Sequence, residues 1–321
     1  MSDLTLILDR KNLVVRMESK SIRVQRPDSP PERIPLAMLR EVVVLGSPMI
    51  SCDVWRALAQ ENIPAILLPL RGGGVPAFMG AGLSATVYRR IGQHLAANDP
   101  ATSMAIARWL IDRKMKGQEL LFREFGQNSS NQNPNWEKIK RYRGLLREAN
   151  DLYSLMGHEG AAASEYFAGL SRIIHPKWRF TGRNRRPPKD PVNALLSLSY
   201  VLAGGDVRQI VQQKGLDPAL GFIHTPQPNR ESLVLDLLEP LRPEVDRFVL
   251  ELIKKDINLK HFTTNKQDGC LLNKTGREVF FKAWSLWKSH ENARDTLQSK
   301  ADRIVRKLIE FFPTNETRTT G

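Results

Sequence analysis

The chain has 321 residues, 48 Lys plus Arg against 34 Asp plus Glu, and a formal net charge of +14. Its 41 % apolar content suffices for the cores of roughly two domains of ~150 residues each, which excludes a fibrous or wholly disordered chain. The surplus charge calls for a polyanionic partner, and two cysteines, Cys52 and Cys270, are too few for a disulfide scaffold or a zinc knuckle.

The N-terminal part reads as strands. Leu4 to Leu8, Leu13 to Met17 and Ser21 to Val24 are short, apolar and separated by turn residues. Pro27 to Pro31 breaks the run, Ile34-Pro35-Leu36 restarts it, and Glu41 to Leu45 (EVVVL) is a strand ended by Gly46. Ser51 to Asn62 predicts a capped helix and Ile63 to Leu70 a buried strand. Gly72-Gly73-Gly74 lacks the Lys-Ser/Thr of a phosphate loop and predicts a hairpin turn.

From about Ser84 the period becomes helical. Helices are expected over Ala101 to Phe125, Trp136 to Met156, Gly160 to Ile174, Asn193 to Ala203, Val207 to Lys214, Glu231 to Ile253 and Gly276 to Phe312, with a polar loop at Gly126 to Asn135. The fold class is therefore α+β: a small β-rich N-terminal domain (residues 1–85) followed by a larger, mostly α-helical C-terminal domain (86–321). The C-terminal Pro313 to Gly321 is polar and expected to fray. Uncharged stretches such as Pro191 to Gly205 fall short of a ~20-residue bilayer span. With no basic start before an apolar core at the N-terminus, a cytoplasmic protein without a membrane partner is expected.

Serine-nucleophile, P-loop and dinucleotide signatures do not occur. Carboxylates in unusual settings remain. Asp236 and Glu239 lie in SLVLDLLE among Leu and Val, and on one continuous helix their spacing puts them on one face. Two such acids need a cation or a basic side chain: either Arg230, Arg242 or Arg247 in a structural network, or a metal. His224 ends the apolar GFIH run and is either a satisfied loop or core histidine or a ligand; Glu159 in GHEGAAA is either a first-turn acid favoured by the helix dipole or a ligand. Together the four suit Mg²⁺ or Mn²⁺, which take oxygen ligands and, for Mn²⁺, an imidazole.

Residues 171–200 hold seven basic residues and one acid, so +6 of the net charge sits there. Within it, Lys177 to Lys189 (KWRFTGRNRRPPK) carries Lys177, Arg179, Arg183, Arg185, Arg186 and Lys189, suited to phosphate contacts. Trp178 and Phe180 between them are expected to stack on exposed bases. The alternative is a solvated linker. Metal-ligand residues beside a basic segment suggest phosphoryl transfer on nucleic acid.

These same stretches carry a family likeness. LMGHEGAAASEYF (155–167), PVNALLSLSY (191–200), GLDPALGFIH (215–224) and RESLVLDLLEPLRP (230–243) occur in the order found in the CRISPR-associated integrase of spacer acquisition, which the chain resembles over nearly its whole length. The resemblance implies a metal-dependent DNA integrase and endonuclease, active in antiviral defence, that inserts short foreign fragments into a CRISPR array. It implies Glu159, His224 and Glu239 as ligands of Mg²⁺ or Mn²⁺, with Asp236 as the adjacent acid supporting catalysis; many relatives carry Asp where Glu239 stands. It further implies double-stranded and branched DNA as substrate and a homodimer formed through the N-terminal domains. Two dimers would join a small ferredoxin-fold CRISPR partner protein in a hetero-hexameric complex. Rival readings are a stand-alone structure-specific nuclease of branched DNA and a non-catalytic architectural DNA binder. Asp217-Pro218 reads as a helix start and Asn193 as the opening of the helix after Pro191.

Overall fold

The computed structural model describes residues 4–313 except 11, 28, 62, 70–75, 80–86, 127–134, 186, 266, 268 and 290–295. The Gly72 to Gly74 turn, most of the polar loop at 126–135, Arg186, the 85/86 division and most of the expected C-terminal tail lie outside the described residues.

The N-terminal strands are β1 (Leu4–Leu8), β2 (Val14–Glu18), β3 (Ser21–Arg26), β4 (Ser29–Pro35), β5 (Leu39–Leu45) and β6 (Met49–Ile50). Helix α1 (Cys52–Gln60), β7 (Ala65–Leu68) and β8 (Ala77–Met79) follow. They form two four-stranded sheets, ordered β1-β5-β7-β8 and β4-β3-β2-β6. The expected break at Pro27 to Pro31 is instead mostly strand. Pro30 and Pro31 fit because β4 is an edge strand and they fall at a register shift, between the Val24–Glu32 and Arg26–Ser29 pairs, where neither has a ladder partner. The uninterrupted apolar run of β5 also has a reason. Val42 and Val44 face a core with Leu8, Val15, Ile22 and Leu58, whereas Val43 faces the core of the helical region. A strand buried on both faces cannot alternate with polar residues.

Helices then dominate: α2 (Val87–Asn98), α3 (Pro100–Gly126), α4 (Asn135–Leu145), α5 (Leu152–Ile173), α6 (Pro191–Gln213), α7 (Ser232–Leu238) and α8 (Arg242–Lys255). A hairpin of β9 (Phe262–Asn265) and β10 (Gly269–Leu272) precedes α9 (Lys274–Lys288) and α10 (Leu297–Ile309). The α+β class expected from the sequence holds, with that hairpin as an addition. Among the described residues no helix is long and apolar enough to cross a membrane.

Four boundaries differ from expectation, the last in the chain being the expected helix 276–312, which is two, α9 and α10, the second opened by the Thr296 cap. The break between α4 and α5 falls at 146–151, because Asp151 caps α5: its side chain accepts from the Ser154 N–H at 2.7 Å and Ser154 bonds back. The expected helices 193–203 and 207–214 are one, α6, opened by the Asp190 cap rather than by Asn193. The expected helix 231–253 is two, because Pro240 and Pro243 fall in a 3₁₀ turn (Glu239–Leu241) and at the start of α8. Asp217-Pro218 starts a turn rather than a helix.

A buried ion triad ties the sheet to the helices. Lys288, at the end of α9, reaches Glu41 of β5 at 2.9 Å and Asp206 of α6 at 2.8 Å, and Arg40 donates to the Lys288 carbonyl. Burial pushes the Asp206 carboxyl up, against the pull of Lys288.

Candidate active site

Helices α3 and α5 meet the turn between α7 and α8 at one cluster of charges. Glu159 lies mid-way along α5, eight residues in, too far from the helix start for the dipole to account for it. Glu239 begins the 3₁₀ turn. Between them stands Lys114 of α3, its ammonium 2.5 Å from Glu159 Oε1 and 2.5 Å from Glu239 Oε2. Gly117, one turn on, lets α3 come close: a Cβ there would lie 2.9 Å from Cγ of Pro243. Burial alone would lower the Lys114 ammonium, but the Glu239 and Glu159 carboxylates raise it. Burial would raise Glu239, yet Lys114 and Arg242, whose Nε donates to Oε1 at 2.8 Å, hold it at about 2.

Asp236 does not act with Glu239 on one partner, although the backbone stays helical from one to the other. It turns to the 221–224 loop and is 0 % exposed. Its carboxylate accepts from the backbone N–H groups of Phe222, Ile223 and His224 at 2.5, 2.9 and 3.0 Å, and lies 2.6 Å from His224 Nδ1. Through these bonds it orients both the loop and the imidazole. A Cβ on Gly221 would come within 2.6 Å of Asp236 Oδ2, so the loop needs glycine there. Gln93 of α2, fully buried, holds the other end through Asp217 N–H and the carbonyls of Asp217 and Leu220. The His224 side chain is 22 % exposed, and its Nε2 is the ring nitrogen that Asp236 leaves available.

The structure thus joins Glu159 to Glu239 and His224 to Asp236. Among the described residues no three His, Cys, Asp or Glu side chains form a ready cluster; the Lys114 ammonium stands between the two glutamates. The donor set nevertheless fits a hard divalent cation. Both glutamates already face one cation, and an imidazole oriented by a carboxylate is a usual metal-ligand arrangement.

Arg242 connects this centre to a second network. Its guanidinium lies 4.4 Å from the Tyr200 ring centroid, and that of Arg183 lies 5.6 Å from the same ring. The hydroxyls of Tyr166, at 2.6 Å, and Tyr200 both donate to Asp246. Burial pushes Asp246 up to about 6, against those hydroxyls and the two arginines. Because its value in the folded chain exceeds the ordinary 3.8, the folded state holds the proton between about pH 4 and 6. Its contribution to stability is present at the acid end and falls as pH rises through that window, by about 3 kcal/mol. Denaturation at pH 4 and pH 7 should show this decline in the wild type and a smaller one in Asp246→Asn.

The basic segment is only partly what its composition predicts. Trp178, 1 % exposed, and Phe180 are core residues, and Trp178 meets Phe262 edge-on; neither is a stacking platform. Arg183 is turned inward, donating to Asn193 Oδ1 at 2.8 Å and Ser197 Oγ at 3.0 Å, so it braces the segment instead of gripping phosphate. Lys177, Arg179, Arg185 and Lys189 are exposed. Glu165 pairs with Lys138 at 2.9 Å, an ordinary surface role.

The family model described as CRISPR associated protein Cas1 matches residues 6–285. The chain belongs to the Cas1 family. A CRISPR-associated endonuclease Cas1 of Thermodesulfovibrio yellowstonii is 33 % identical over 312 residues, 94 % of this chain and 97 % of the relative. Among solved structures, a CAS1 protein from Thermotoga maritima superposes with a TM-score of 0.85 at 24 % identity, covering 97 % of this chain and 100 % of that one. A casposase bound to integration product gives 0.83 at 20 % identity over 96 % of this chain and 90 % of the other. The last two likenesses establish the fold.

Proposed function

We propose that the protein is a divalent-metal-dependent DNA integrase and endonuclease of CRISPR adaptation. The carrying observation is the Glu159–Glu239 carboxylate pair gathered around one cation, with a His224 imidazole that Asp236 orients, in a chain of the Cas1 family. Glu159, Glu239 and His224 Nε2 would hold Mg²⁺ or Mn²⁺. The ion, when bound, supplies positive charge for the phosphate oxygens in the transition state.

The reaction is a transesterification. A 3′-hydroxyl of the incoming fragment attacks a phosphodiester at the repeat edge; a new P–O bond forms as the old P–O3′ bond breaks, and the freed 3′-oxygen takes a proton. The bond count is unchanged, so no nucleotide triphosphate is consumed. In the chain itself, Asp236 fixes the imidazole tautomer and the 221–224 loop, while Arg242, held by Glu239 and the Tyr200 ring, stays charged at the wall of the site.

The exposed Lys177, Arg179, Arg185 and Lys189 would guide the DNA backbone toward this wall, since Arg183 braces their segment against Tyr200, the ring Arg242 also covers. Replacing Arg185 and Lys189 with Ala should weaken duplex binding irrespective of sequence and lower the salt slope by about 1 for each phosphate no longer neutralised. An unchanged slope in a filter-binding titration would take the segment off the DNA path. The N-terminal strands would form the homodimer, and two dimers would engage the small ferredoxin-fold partner.

The test is strand transfer: a duplex with free 3′ ends, a plasmid bearing a direct repeat, and Mg²⁺ or Mn²⁺. Covalent joining is expected. Cutting without joining would favour the stand-alone nuclease of branched DNA, and no metal-dependent product at all would leave an architectural binder.

A further inference from the structure

The Lys114 ammonium stands between the two carboxylates, where a divalent ion held by both would sit. It touches the same two carboxylates, 2.5 Å from each, so Glu159 and Glu239 lie within about 5 Å of each other. Their side chains are 15 % and 10 % exposed, and that of Lys114 is 11 % exposed. Without a cation, two carboxylates so placed repel strongly. A divalent ion bound at ~2.0–2.6 Å from their oxygens would fill the position the ammonium holds, and two cations cannot share it.

We propose that Lys114 is a resident cation that keeps the two glutamates assembled in the free protein and leaves them when the divalent ion enters. This inference rests on the metal-site reading above. The packing favours a side-chain exchange over a backbone movement. Gly117 seats α3 directly on Pro243, while the lysine stem has four rotatable bonds. A buried ammonium deprived of its carboxylates needs another anion, and the phosphate of bound DNA is the anion this site receives. Lys114 would thus pass from the glutamates to the substrate, making metal occupancy costly until DNA is present.

Mn²⁺ binding to the full chain without DNA, followed by the EPR signal of the free ion, tests this. Lys114→Met, of similar length and uncharged, should bind Mn²⁺ tighter than wild type by roughly tenfold, about 1.4 kcal/mol, while its metal-free form melts at a lower temperature. The wild type gives a second measurement. Amine acylation read by mass spectrometry should leave Lys114 protected in the free protein and label it once Mn²⁺ is added. Binding by Lys114→Met equal to or weaker than wild type, or protection that Mn²⁺ leaves unchanged, overturns the exchange. Saturable Mn²⁺ binding by neither the wild type nor Lys114→Met, or Glu239→Gln binding as well as wild type, overturns the metal site itself.

Discussion

Glu239→Gln should reduce strand transfer by roughly 10²–10³-fold or more, the scale seen when a group stabilising transition-state charge is removed, while duplex affinity changes little. The amide keeps the shape but loses the charge that a divalent ion and two basic side chains all use. It also leaves Lys114 with Glu159 alone and removes the carboxylate partner of Arg242. A carboxyl held at about 2 instead of the usual 4.5 corresponds to about 3 kcal/mol favouring the charged form, so the variant should also unfold more easily. The assay therefore belongs at a temperature where circular dichroism shows both proteins folded. Retained strand transfer there would mean that the Glu239 cluster is structural and that catalysis lies elsewhere.

The second large effect lies far from chemistry. Lys288→Met should lower stability by about 3–5 kcal/mol, read from the guanidinium denaturation midpoint, because it strands Glu41 and Asp206 as uncompensated buried charges. Neutralising the acids together with the lysine, in Lys288→Met/Glu41→Gln/Asp206→Asn, should recover much of the loss, since matched neutral groups avoid the desolvation cost. If the triple variant is no better than the single one, cavity formation, and not stranded charge, sets the penalty.

Much of the molecule is legible in its residues. EVVVL announces a strand, and the GHEG, GFIH and DLLEP stretches name Glu159, His224 and Glu239 through their family likeness. The division into a strand-rich and a helical region follows from the change of hydrophobic period near residue 84. Lys114 escapes a reading by motif, although a signal exists: it shares the helical stripe of Ala107, Leu110, Ile111 and Leu121, all buried, where an unpaired lysine would be prohibitively costly. Trp178 and Arg183 mislead for the opposite reason. A dense basic run suggests an open surface, and nothing local reveals that Phe262 and Asn193, from other elements, enclose its middle.

Sequence alone carried the surplus of positive charge and the order of strands before helices, because net charge and hydrophobic period are properties of the chain at short range. Only the folded structure decided which acids serve together. Asp236 and Glu239 are three residues apart, yet one orients His224 and the other meets Lys114 from a helix 125 positions earlier in the chain. The backbone stays helical from one to the other, so the roles part because different elements pack against each side chain: the 221–224 loop on Asp236, and Lys114 and Arg242 on Glu239.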